Sequence, residues 1–135
     1  MTRKLFAVGI ILAVAMVLYA QGAFALHVQG DKSVKINGYL IDNMCAGALA
    51  KGKDFAEKVK KHKTSCALMP NCAGSGFAVL SDEGKLYKLD DAGNKIAEDL
   101  LKSTQTTAGV AVNAEGTVDG ETLHVTKLAE AAKTE

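Results

Sequence analysis

Hydrophobic and polar positions along the chain fall into three textures: an apolar block near the start, a stretch rich in Lys, Ala and Gly, and short alternating runs. The apolar block covers residues 5–20, which carry no charge. From Val34 onward Val34, Ile36, Gly38, Leu40 and Asp42 alternate with Lys35, Asn37, Tyr39 and Ile41, which predicts a first strand ending near Asp42. Residues 45–74 break the alternation and contain Pro70, the sole proline. Phe77-Ala78-Val79-Leu80 reads as a second strand, Ser81-Asp82-Glu83-Gly84 as a turn and residues 85–89 as a third strand, together a hairpin. Asp90-Asp91-Ala92-Gly93 reads as another turn, and Ile96, Ala97, Leu100 and Leu101 mark a short amphipathic helix. Residues 110–118 and 121–128 flank Asp119-Gly120 as a second hairpin, with Gly116 at a bend or bulge. The small, polar tail 129–135 is expected to fray.

Inside residues 45–74 one helix is expected. Asp54 and Glu57 have capping-box spacing, and Phe55, Val59, His62 and Cys66 follow on one helical face. That face turns His62 and Cys66 inward if the helix runs to Cys66, although Thr64 and Ser65 allow an earlier end. Without this segment the order is three strands, a helix and two strands, the order of a five-stranded OB barrel. The expected fold is therefore mainly β (α+β), an OB-like barrel over residues 34–128 with a helical, Cys/His-containing insertion, 45–74, between strands 1 and 2.

Charge and flanking residues change the meaning of the apolar block. Arg3 and Lys4 precede it and Ala23-Phe24-Ala25 follows it, the three parts of a secretion signal cleaved before Leu26, with Ala20-Gln21-Gly22 a weaker site. The run is short for a bilayer span and lacks a basic stop-transfer cluster, so no stable membrane span is expected after cleavage. Residues 1–25 then form a signal peptide and 26–33 a polar leader, and the mature protein is periplasmic or secreted. Cleavage removes the only arginine and one lysine, leaving fourteen lysines against fifteen carboxylates. Arginine is the side chain best suited to gripping phosphate in a planar fork, so its absence argues against nucleic acid as a partner. The mature aromatics are Tyr39, Phe55, Phe77 and Tyr87, a modest core of the kind that a disulfide or metal often supports.

Four stretches, GYLIDNMC at 38–45, HKTSCALMPNC at 62–72, GFAVLSDEGKLYKLD at 76–90 and GTVDGETLHVTKL at 116–128, resemble small exported bacterial proteins with an OB-like core and a Cys/His insertion. The resemblance covers nearly the whole mature chain. It implies an architecture and no catalytic residues, and fold alone does not supply function.

The chemistry-bearing residues concentrate in the insertion. Cys45, Cys66 and Cys72 are the only cysteines. In an oxidising compartment they predict one disulfide and one free thiol. If strands 1 and 2 are antiparallel, Cys45 and Cys72 flank the neck of the insertion and are the favoured pair, with Cys66 the alternative partner of Cys45. The competing reading is a metal site: Cys45, His62, Cys66 and Cys72 form a Cys3His set sufficient for tetrahedral zinc, and Met44 and Met69 beside it favour copper(I). There is no CxxC pair, no haem-attachment CxxCH and no HExxH. A thiol redox protein ranks third, because Cys66 lies at the C-terminal end of its expected helix, where the dipole disfavours a thiolate.

Six lysines against Asp54 and Glu57 leave residues 51–63 with a net charge of +4, a solvated face or a contact for an anionic envelope partner. His27 and His124 are isolated, and the turn carboxylates Asp82, Glu83, Asp90 and Asp91 have neither calcium-loop nor acid–base spacing. The expectation is a monomeric, non-catalytic binding or accessory module with an unidentified ligand and a disulfide-closed insertion. The alternatives are a zinc or copper protein and a thiol redox protein.

Overall fold

The computed structural model describes residues 32–132. The expected signal peptide, most of the leader and the last three residues of the tail lie outside that range. Five strands, β1 (Val34–Asp42), β2 (Phe77–Ser81), β3 (Leu86–Leu89), β4 (Ala111–Asp119) and β5 (Thr122–Glu130), close into a barrel in the order β1-β2-β3-β5-β4. Every pairing is antiparallel except β3 with β5. Four short helices lie between β1 and β2: α1 (Asn43–Leu49), α2 (Phe55–Lys60), α3 (Thr64–Ala67) and α4 (Pro70–Gly74). A fifth, α5 (Asp91–Ser103), joins β3 to β4.

β1 is the hub of the sheet. Its first part pairs with β4 and its second with β2, both partners meeting at Gly38 and Tyr39. A Cβ at Gly38 would run into the Leu80 carbonyl, so only glycine lets the β1 and β2 backbones approach this closely there. Side chains alternate across the strand. Ile36 and Leu40 enter the barrel core with Phe77, Val79, Leu89, Val112 and Leu123, while Ile41 joins Ala78 and Leu80 in a second cluster with Ala46 of α1 and Val59 of α2. Phe77–Leu80 is an unbroken apolar run because both of its faces are covered. Full burial of each large apolar side chain contributes about 1.5–3 kcal/mol relative to exposure. Ala67, Leu68 and Ala73 also pack on the barrel cluster, so the α3–α4 segment is anchored to the core.

Four local expectations are corrected. The helix that starts after Asp54 stops at Lys60, and Cys66 belongs to the separate α3. Thr64 N–H turns away to the Thr107 carbonyl at 2.9 Å, a cross-chain bond that ends the helical run. Asp54 is the N-cap residue but makes no side-chain cap bond, and Glu57 pairs with Lys60 at 3.2 Å, so the capping box does not form. Residues 90–93 are a helix start rather than a turn: Asp90 accepts from Gly93 N–H at 2.9 Å as N-cap, and Gly93 is buried inside α5 against Val125. Ala129 and Glu130 belong to β5 instead of a frayed tail, and Glu130 accepts hydrogen bonds from the hydroxyls of Thr104 and Thr106. An irregularity falls beside Gly116 as expected, but the bulged strand is β5 and not the strand that holds Gly116. The register shifts between Glu115 and Gly116 because β5 contributes Thr126 as the extra residue.

Candidate metal centre

The site is assembled from the end of β1 and the four short helices that follow it. Asp42, the last residue of β1, has no solvent exposure. Its Oδ1 accepts from Cys45 N–H at 2.8 Å, the N-cap bond of α1, and so places Cys45 in the first turn of that helix. Ser75 holds the next strand entry against it. The Ser75 hydroxyl oxygen accepts from Met44 N–H at 3.0 Å and donates to the Cys72 carbonyl at 2.6 Å. Asn43 adds a side-chain bond to the Ser75 carbonyl at 2.9 Å.

His62 and Cys66 arrive by a different route. Val59 is fully buried and anchors α2, which at six residues is too short to persist alone. Just beyond it, His62 N–H donates to the Val59 carbonyl and Gly109 N–H donates to the His62 carbonyl, both at 3.0 Å. Gly109 has φ 61°, and a Cβ there would strike the Lys60 carbonyl. Thr64 donates its hydroxyl to the Thr106 carbonyl at 2.6 Å, completing the seam between the two loops. Cys66 lies on α3 and Cys72 on α4, where Pro70 occupies the helix start.

Ligand atoms of Cys45, Cys66 and Cys72 all lie within 4.8 Å of one another, and so do those of Asp42, Cys45 and His62. The four residues expected from sequence are therefore brought together, as two groups sharing Cys45. Asp42 is the member that sequence reading missed. The signal was present in D-N-M-C, a capping residue three positions before the N–H it accepts, but its burial depends on residues far along the insertion, His62 and Cys72. None of the three cysteines is disulfide-bonded in the structure, so neither the Cys45–Cys72 pair nor the Cys45–Cys66 pair is formed.

The polar interior of the site is incomplete. His62 Nε2 and Asp42 Oδ2 stand 3.5 Å apart with side chains 10% and 0% exposed. That is an ion-pair contact only for a protonated imidazole, and neither atom makes a hydrogen bond. Burial, then the Asp42 charge and the neighbouring Cys66, pushes the Cys45 thiol up to about 12. Burial and Asp42 raise the Cys72 thiol as well. Without a cation these sulfurs stay protonated, and a metal ion that takes the place of their protons removes the obstacle.

The remaining features lie outside these two groups of donors. Met44 and Met69 are the exposed large apolar side chains among the described residues, at 51% and 55%. The six lysines of residues 51–63 are all exposed, with Lys60 over the Tyr39 ring at 5.8 Å. His124 is exposed and lies 3.4 Å from Asp90 across the α5 start. An open groove of about 460 Å³ beside Val34, Asn37, Asp82 and Tyr87 has no His or Cys in its lining. Among the described residues no helix is long and apolar enough to cross a membrane. Comparison with protein-family models, with curated proteins and with solved structures finds no match for the chain.

Proposed function

We propose that this chain is an exported metal-binding module. The donors for a thiophilic metal, zinc or copper(I), come from the adjoining groups Cys45, Cys66, Cys72 and Asp42, Cys45, His62, on a barrel of OB type. The observation that carries the reading is the unsatisfied pair that shares a close group with the Cys45 thiol, Asp42 Oδ2 and His62 Nε2, both buried without a hydrogen bond. Buried polar atoms are almost always paired; Asn43 Oδ1 is also unpaired, but Asp42 and His62 alone share a close group with a thiol, Cys45, and such a pair calls for a cation. A disulfide-closed accessory module is the second reading. A bridge would consume two thiols and leave both orphans unexplained, so it ranks lower. Thiol redox chemistry ranks lower still, since it needs a thiolate where Cys45 is pushed up to about 12.

The barrel type is supported by strand order β1-β2-β3-β5-β4, the parallel β3–β5 pair and the helix between β3 and β4. Export is supported by the charged, apolar and small-residue segments of residues 1–25. The reading assigns no reaction to the module. Its test is native mass spectrometry of the purified chain beside a denatured, alkylated sample. A bound metal mass with three alkylatable cysteines is the expected result, whereas an apo mass with one alkylatable cysteine replaces it with the disulfide reading.

A further inference from the structure

One tetrahedral ion on Cys45, His62, Cys66 and Cys72 leaves a buried carboxylate over. Asp42 Oδ1 is committed to the Cys45 N–H, and Oδ2 has no donor. Its only ion-pair contact among the described residues is His62. A divalent ion among three thiolates and a neutral imidazole already carries a net negative charge, and an ionised Asp42 beside it adds a second with no cation to offset it. Uncompensated charge at a fully buried position is strongly unfavourable.

The donors themselves divide the problem. Cys45, Cys66 and Cys72 form one close group and Asp42, Cys45 and His62 another, with Cys45 common to both. A thiolate sulfur has lone pairs enough to bind two metal ions at once. We infer that the cluster takes two zinc ions bridged by the Cys45 thiolate, one completed by Cys66 and Cys72 and the other by Asp42 and His62. Three thiolates and one carboxylate balance two divalent cations, and both orphaned atoms become ligands. The oxygen and nitrogen donors of the second position suit zinc, whereas two copper(I) ions would leave half of the negative charge unbalanced. Each ion has three protein donors, which leaves a coordination position for solvent or a small ligand, as in zinc sites that are not closed.

This inference rests on the metal-binding reading, and one titration separates the two. The full chain, reduced and stripped of metal, is titrated with zinc and read by native mass spectrometry. The expected stoichiometry is two zinc ions per chain, falling to one in Asp42→Asn and in His62→Ala and staying at two in His124→Ala. The Asp42→Asn side chain keeps an oxygen for the Cys45 N–H, so folding, checked by circular dichroism, is preserved. Saturation at one ion in the unaltered chain overturns the two-ion inference alone, and no zinc at all overturns the metal-binding reading with it. A second ion that survives both Asp42→Asn and His62→Ala sits elsewhere and also overturns the inference. Cobalt(II) substitution gives a readout that needs no variant. Two ions sharing a thiolate are magnetically coupled and give less paramagnetic resonance intensity than two isolated ions, whereas full additive intensity rules out the bridge.

Discussion

The backbone N–H of Gly109 donates to the carbonyl of His62 at 3.0 Å, tying the loop that enters β4 to the segment that carries the imidazole. The neighbouring contacts are of the same kind: Thr64 N–H to the Thr107 carbonyl and a single bridge between Lys63 and Ala108. Backbone bonds from two distant parts of the chain thus set where His62 stands, while Asp42 and Cys45 are set by the end of β1. The candidate metal centre lies where these two constraints meet.

Gly109→Ala is expected to loosen this seam. Its φ of 61° is unfavourable for alanine, and the new Cβ meets the Lys60 carbonyl. The expected loss is about 2 kcal/mol of stability by urea denaturation. Zinc affinity, measured by chelator competition, should fall on the order of 10–100-fold because His62 is no longer held in place. Unchanged affinity in a folded variant would mean that the seam does not position the imidazole.

Val59→Ala removes the one fully buried side chain of α2. Loss of the methyl groups and the cavity left behind should cost about 2 kcal/mol, read as a lower urea midpoint at unchanged slope. Hydrogen exchange should rise first at Lys61 and His62, whose N–H groups donate to the Lys58 and Val59 carbonyls at the end of this helix. A loss confined to the barrel amides would contradict the role given to Val59.

Chelation should lower the melting temperature of the metal-loaded chain. A ligand present at 100 times its dissociation constant stabilises the native state by about 2.7 kcal/mol, and its removal forfeits that amount. Equal melting curves with and without chelator, in a sample from which no metal can be extracted, would instead favour the disulfide-closed module.

In the metal-free, reduced chain, Cys45 should alkylate more slowly at neutral pH than an unstructured cysteine. Its thiol is pushed up to about 12 by burial and by Asp42, which keeps the reactive thiolate scarce. Mass-spectrometric mapping of iodoacetamide labelling over time measures this directly. Fast, selective labelling of Cys45 would revive the thiol redox reading.

Acid should weaken the α5 start. Burial opposes ionisation of Asp90, but the N–H groups of Gly93 and Val125 and the nearby His124 outweigh it and hold the carboxyl below its ordinary 3.8. A carboxyl whose folded value is depressed adds stability above its unfolded value and loses it as the pH falls through the folded one. Urea midpoints should therefore drop in acid more steeply for the native chain than for Asp90→Asn. Asp90→Ala should cost about 1–2 kcal/mol at neutral pH by removing the cap and the Val125 bond together. Parallel acid curves for native and Asp90→Asn would place the acid sensitivity elsewhere.

Sequence pattern alone was enough for the strands, because period-two alternation in β1 and the covered run Phe77–Leu80 are direct imprints of which faces are buried. It was also enough for the donor types of the candidate site: three cysteines and His62 in one segment are visible without coordinates. Tertiary structure decided how those donors meet. The His62–Cys66 helical spacing looked like the organising element, yet the helix ends at Lys60 because Thr64 bonds to Thr107, more than forty residues away, and local periodicity carries no trace of such a bond. The Asp90–Gly93 run has turn composition, and only the close packing of Gly93 on Val125 turns it into a helix start. Asp42 shows the division most clearly. Its capping role is local and legible, but its complete burial comes from pairing with β2 and from the insertion, whose His62 and Cys72 come to lie beside it. A carboxylate becomes a candidate ligand when the surrounding fold removes water and leaves one oxygen without a donor.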